Sequence, residues 1–207
     1  MAKSKSSKRW LHEHFEDHYV KLAQQQGLRS RSAFKMVELQ EKYGLIEKGM
    51  TVVDLGAAPG GWCQVVQPLV GDDGRVIALD ILDMEPVHGV DFILGDFTED
   101  GPLHELESML GGQKADLVLS DMAPNMSGMA AIDQAKSMYL AELALELVKE
   151  QLKRGGEYVV KLFQGTDFDG YVKEVRLLFD KVQVRKPKAS RPRSKEVYLL
   201  ARGFRGQ

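Results

Sequence analysis

The rhythm of apolar positions changes near residue 50. Before it, apolar residues recur at helical spacing. They predict a helix from about Arg9 to Gln25, broken at Gly27. A second helix follows Ser30 or Ser32 as N-cap, carries Phe34, Val37 and Glu41, and stops at Gly44. After residue 50 come the short runs TVVDL, RVIALD, VDFILGD, ADLVLSD and EYVVKLF, rich in Val, Ile and Leu and bounded by Gly, Asp or Pro. Helix-like stretches lie between most of them, the clearest at 130–152. Near-continuous apolar strands alternating with helices predict an α/β fold, a parallel sheet covered on both faces. A last helix near 169–179 precedes KVQVRK and EVYLLA. The loop of about eight residues between those runs is too short for a parallel crossover, so they predict an antiparallel pair. Seven strands result. Residues 1–8 read as a disordered basic tail and 9–207 as one domain without internal repeats.

Composition then narrows the function classes. No apolar run is long enough to span a bilayer, so no membrane partner is expected. MAKSKSSKRW is basic and Ser-rich but lacks an apolar h-region, so it does not read as a secretory signal. The single cysteine, Cys63, excludes a disulfide framework within the chain. A cytoplasmic protein is expected. Five scattered His and one Cys give no ligand cluster, so no metal is expected.

The net charge of -2 hides a segregation: +4 over residues 1–48, -14 over 49–152 and +8 over 153–207. Scattered solvated charge is one account of this. The other is that both ends of the chain form one basic surface for a polyanion. Arg-rich stretches, GLRSRSAFK and VRKPKASRPRSK, favour the second. Arg29, Arg31, Arg191 and Arg193 are the candidate phosphate contacts, with solvated loop charge as the alternative for each.

The chemistry centres on DLGAAPGGW, residues 54–62, at the carboxyl end of the first strand. Ligands of open α/β sheets bind at that edge. Gly56, Gly60 and Gly61 let backbone approach a ligand, but Pro59 and the spacing make a poor pyrophosphate cradle. Asp80 ends the second strand, where an acid can accept hydrogen bonds from both ribose hydroxyls. Asp96 ends the third, where a carboxylate can meet an adenine amino group. Each of these could simply cap a turn. With Asp54 and Asp121 they end four successive strands around the glycine loop. An acidic rim suits a cofactor with positive charge and no phosphate, which describes S-adenosylmethionine and not NAD.

The fourth strand leads into SDMAPNMSG, which departs from the D/N-P-P-Y turn of amino-group methyltransferases. Cys63 lies inside the cofactor loop, a poor place for the nucleophile of cytosine carbon-5 methylation. Oxygen remains as the methyl acceptor. Lys161 sits in the apolar run EYVVKLF and needs a partner or a job. A structural ion pair is one reading. However, Asp121 and Lys161 end neighbouring strands, and an antiparallel final strand would start at the same edge with Glu196. A converging lysine can take a hydroxyl proton as the bond to methyl forms. Trp62 reads equally as core packing or as a cofactor contact.

DLGAAPGGW, SDMAPNMSG, VVKLFQG and RPRSKEVY resemble the bacterial FtsJ-type ribosomal RNA 2′-O-ribose methyltransferases, from about Arg9 to Ala201. The resemblance implies a Rossmann-like S-adenosylmethionine-dependent methyltransferase fold. It implies a Lys-Asp-Lys-Glu tetrad at Lys35, Asp121, Lys161 and Glu196. Lys35 comes from the resemblance alone; with Glu38 three residues on, it otherwise reads as an exposed helix pair. The implied cofactor contacts are Gly60, Trp62, Asp80, Asp96 and Asp121. Cys63 stands where relatives often have Ser. The implied reaction is methylation of a uridine 2′-hydroxyl in 23S ribosomal RNA, in the 50S subunit, by a monomer that does not use DNA. Alternatives are the same chemistry on tRNA or an RNA cap, and a ribosome assembly factor with incidental methyl transfer.

Overall fold

The computed structural model describes residues 17–206. The proposed tail 1–8, and the part of the first predicted helix before residue 17, lie outside them. Two helices come first, α1 (His18–Gln25) and α2 (Ala33–Tyr43). Asp17 caps α1, its Oδ1 accepting the Tyr19 amide at 3.0 Å. Ser32 holds the N-cap position of α2, but its side chain makes no capping bond.

The rest alternates strand and helix: β1 (Thr51–Leu55), α3 (Gly61–Val70), β2 (Arg75–Asp80), β3 (Val90–Leu94), α4 (Asp100–Leu110), β4 (Ala115–Ser120), α5 (Ala130–Gln151), β5 (Leu152–Phe163), α6 (Phe168–Leu178), β6 (Phe179–Arg185) and β7 (Glu196–Phe204). They build one seven-stranded sheet in the order β3-β2-β1-β4-β5-β7-β6. The first five pair in parallel. β7 is antiparallel to both β5 and β6, as the short β6–β7 loop requires. Of the connections among β1–β5, only β2–β3 lacks a helix, in keeping with helices between most of the strands. One detail differs from the sequence reading: β3 is half exposed because it is an edge strand.

Alternation along the central strands feeds two cores. Val53, Leu55, Val118, Val160 and Leu199 pack with α4, α5 and α6. Val52, Leu117, Leu119, Val159 and Leu200 pack with Met36 and Leu39 of α2 and Val66 and Val70 of α3. Side chains two apart on a strand share a face. By that parity Asp54, Lys161, Glu196 and Tyr198 belong to the face that α2 and α3 cover, and Asp121 continues it past β4. Helix α2 therefore lies over the row of strand-end residues that the sequence singled out.

Candidate active site

The cleft lies over the carboxyl ends of β1 and β4, where the strand order reverses. The two ends are joined, the Asp121 amide donating to the Leu55 carbonyl at 3.0 Å. After β1 the chain turns at Gly56, φ +78°. A Cβ there would lie 2.8 Å from the backbone of Met122, so only glycine lets the loop rest against the chain leaving β4. Gly60, φ +97°, hands the loop to α3, and its amide donates to the Ala57 carbonyl at 2.7 Å.

Asp80 is buried at the end of β2. Its Oδ2 accepts the Ala58 amide at 2.9 Å and its Oδ1 the Leu82 amide at 2.8 Å. Asp96 accepts both the amide and the hydroxyl of Thr98 on Oδ1, at 2.9 and 2.7 Å. Both carboxylates thus shape turns. Each oxygen has two lone pairs, so turn-shaping leaves acceptor capacity for ligand hydroxyl or amino groups. Beneath them Asp54 is fully buried. Its Oδ2 accepts the Cys63 thiol at 3.2 Å, while Oδ1 has no hydrogen-bond partner. Burial pushes Asp54 up to about 7 against the Cys63 hydrogen bond, and Asp121 and Asp80 add to the rise. A side-chain-free cradle with carboxylates beside it fits a cationic nucleoside cofactor, since every group offered accepts hydrogen bonds or attracts positive charge.

Trp62 packs into the core beneath the loop. Its side chain is 3% exposed and packs on Tyr198, ring centroids 5.7 Å apart. Its Nε1 donates to the Ser32 carbonyl at 2.9 Å, anchoring the start of α2.

On the other side of the cleft the four tetrad residues come together. Lys161 Nζ lies 3.0 Å from Asp121 Oδ1 and donates to the Asp121 carbonyl at 2.5 Å. Lys35 Nζ lies 2.7 Å from Glu196 Oε1. Tyr198 joins the pairs: its hydroxyl donates to Asp121 Oδ1 at 2.7 Å and accepts from Lys35 Nζ at 3.0 Å. Ser32 Oγ donates to Asp121 Oδ2 at 2.7 Å. Burial favours the neutral form of Asp121, but Lys161 and Lys35, with hydrogen bonds from Tyr198 and Ser32, hold it below the usual carboxylate range. Burial also opposes ionisation of Glu196, and Lys35 overcomes it. Both lysines are nearly enclosed, Lys35 7% and Lys161 9% exposed. Buried ammonium groups need such partners.

Sequence reasoning missed Tyr198 and Ser32. Tyr198 was visible in principle: it lies two residues beyond Glu196 on one strand and so on the same face. In the sheet it stands directly opposite Lys161. Ser32, one of the two candidate N-caps with Ser30, holds the N-cap position, but its hydroxyl serves Asp121.

Three of the four candidate arginines gather. Arg31, Arg191 and Arg193 line a cleft of about 350 Å³ with Ser194 and Glu196. Arg31 and Arg191 share Asp17 Oδ2 at 3.2 and 3.4 Å. Arg29 does not join them. Its guanidinium donates to the carbonyls of Pro59, Glu85 and Pro86.

A sequence model described as FtsJ-like methyltransferase matches residues 28–204. The chain belongs to that family. Ribosomal RNA large subunit methyltransferase E of Pseudomonas aeruginosa is 58% identical over all 207 residues, covering both chains fully. The protein of that name from Stutzerimonas stutzeri is also 58% identical, over 206 residues and the full length of both. Among solved structures, a putative ribosomal RNA methyltransferase from Plasmodium falciparum superposes with a TM-score of 0.78 at 30% identity. It spans 86% of this chain and 100% of its own. Aeropyrum pernix fibrillarin, solved with natively bound S-adenosyl-L-methionine, has a TM-score of 0.58 at 15% identity, over 84% of this chain and 74% of its own. That last likeness shows the shared Rossmann-like fold. As an FtsJ-like methyltransferase the protein is an enzyme whose cofactor is S-adenosylmethionine.

Proposed function

We propose that this enzyme methylates the ribose 2′-hydroxyl of a uridine in 23S ribosomal RNA, acting on the 50S subunit as a cytoplasmic monomer, with residues 9–207 as its single domain. The observation that carries the reading is the continuous hydrogen-bonded chain Lys161–Asp121–Tyr198–Lys35–Glu196 beside the glycine loop. The full-length relatives named as large-subunit methyltransferases support ribosomal RNA as substrate. A ribose hydroxyl restricts the reaction to RNA.

Gly56, Gly60, Trp62, Asp80 and Asp96 would hold the cofactor, and Asp121 would border it. When bound, it supplies an electrophilic methyl carbon on a sulfonium. Lys161 would act as base from its neutral amine form, taking the 2′-hydroxyl proton at Nζ as the methyl passes from the sulfonium sulfur to the ribose oxygen and leaves a neutral thioether behind. Asp121, already held as a carboxylate, then stabilises the resulting ammonium. Lys35 keeps Asp121 and Glu196 ionised and places positive charge beside the acceptor. No covalent enzyme intermediate is required, and alignment of oxygen with methyl supplies much of the rate. Arg31, Arg191 and Arg193 contact RNA phosphates in the cleft next to Glu196.

The test is transfer of labelled methyl from S-adenosylmethionine to 50S subunits lacking their own ribose methylation, with tRNA and capped RNA alongside. Alkali-resistant label at one uridine of 23S RNA is expected. Binding without transfer would favour an assembly factor, and label on tRNA or capped RNA alone would move the substrate.

A further inference from the structure

Arg29 stands apart from the arginines of the RNA cleft, and its contacts have another logic. Nη1 donates to the Pro59 carbonyl at 3.2 Å and to that of Glu85, and Nη2 donates to the Pro86 carbonyl at 2.8 Å. Pro59 lies in the glycine loop after β1. Glu85 and Pro86 lie in the helix-free connection after Asp80. These segments flank Asp80, whose carboxylate accepts the Ala58 amide from one and the Leu82 amide from the other, and they form the two walls of the candidate cofactor site. One side chain therefore spans both walls.

The walls also touch directly. A Cβ at Gly60 would lie 2.9 Å from Arg29 Nη1, 3.1 Å from Val87 Cγ2 and 3.2 Å from Met84 Sδ. Arg29 is itself held, its amide donating to Gln64 Oε1 at 2.8 Å while Gln64 Nε2 donates to the Gly27 carbonyl at 3.2 Å. A guanidinium offers donors in a fixed fork and can serve carbonyls arriving from different directions; an ammonium at the same place cannot reach all three.

We infer that Arg29 is a positioning residue for the cofactor and not a phosphate contact: it sets the spacing of the cleft walls and so pre-organises the S-adenosylmethionine site. The inference rests on that cleft being the cofactor site. Arg31 and Ser32 follow at once in the chain, one lining the arginine cleft and the other bonded to Asp121. The same short strap thus serves the cofactor walls first and the acceptor side next.

The test compares wild type, Arg29→Ala, Arg29→Lys and Asp80→Asn by calorimetry with S-adenosylmethionine and S-adenosylhomocysteine. RNA binding is measured at several salt concentrations. Arg29→Ala is expected to weaken both cofactor forms about tenfold, because lost pre-organisation is independent of the methyl group. KM for the cofactor rises, kcat at saturation stays within about threefold, and the salt slope of RNA binding is unchanged. Arg29→Lys gives an intermediate loss and decides alone if the Ala variant does not fold. A merely structural role would lower the melting temperature without raising KM well below it. Unchanged cofactor affinity in the Arg29 variants, with Asp80→Asn weakened, overturns the inference and leaves the cofactor site standing. If Asp80→Asn is unchanged as well, the site assignment falls too. A reduced salt slope in Arg29→Ala with normal cofactor affinity also overturns the inference and returns Arg29 to the RNA surface.

Discussion

On the cofactor side the cleft is made mostly of backbone; on the acceptor side it is made of side chains delivered from four distant places. The glycine loop, Asp80 and Asp96 follow three strands within one run of chain, and their hydrogen bonds are to amides nearby. Lys35, Asp121, Lys161 and Glu196 come from a helix, a strand end, a second strand and an antiparallel third. The backbone side achieves close approach through conformations only glycine adopts easily. The side-chain side achieves charge placement through long-range packing, with Tyr198 as the joint. Substitutions on the first side should therefore act through binding and stability, and those on the second through turnover.

The sharpest test of that division is Lys161→Ala. It should lower kcat by about 10²–10⁴-fold, the usual worth of a general base, with cofactor affinity nearly unchanged by calorimetry. A kcat near wild type would leave the methyltransferase in place and remove Lys161 as base.

Asp54 tests the other side through pH. Its folded pKa, about 7, lies above the ordinary carboxylate value, so between these values the native state holds a proton that the unfolded chain has lost. Stability from this group is therefore full at low pH, falls as pH rises through that window, and stays low above about 7. Asp54→Asn mimics the protonated form. It should gain over wild type by roughly 2–4 kcal/mol as pH goes from about 4 to 8, read from urea denaturation without cofactor. Parallel curves for the two proteins would mean that Asp54 is ionised throughout.

Gly56→Ala should cost about 1–3 kcal/mol of stability, because the residue would keep a positive φ and press on the Met122 backbone. A denaturation midpoint equal to wild type would show that the loop can move off the chain after β4. The smallest effect is expected at the cleft rim. Arg191→Ala with Arg193→Ala should weaken RNA binding about tenfold and reduce its salt slope by up to about 2, one phosphate contact apiece. Equal slopes would place the phosphates elsewhere.

The same division decided what could be read from the chain. Asp80 and Asp96 were legible because strand ends and glycine turns are local patterns. Asp121, Lys161 and Glu196 were legible because parallel strands and one antiparallel strand place their ends at a common edge. Lys35 was not. Helical spacing paired it with Glu38, yet Glu38 binds Lys42 and the Lys188 amide while Lys35 turns inward to Glu196. Which face of α2 the sheet covers is a tertiary fact. The contacts of Arg29 were hidden for a related reason: an Arg-rich stretch reports charge, but the carbonyls that Arg29 satisfies come from turns 30 and 56 residues away.

Antiparallel β7 gives the enzyme an order of assembly. Strands β1 to β4 can set the cofactor walls from one continuous stretch of chain. Glu196 and Tyr198 enter only when the latest-made strand slides between β5 and β6. During synthesis the cofactor-side strands emerge first, and the acceptor side can be completed only once β7 has been made. Turnover thus waits on the last strand made, since Glu196 and Tyr198 complete a site whose other residues all lie earlier in the chain.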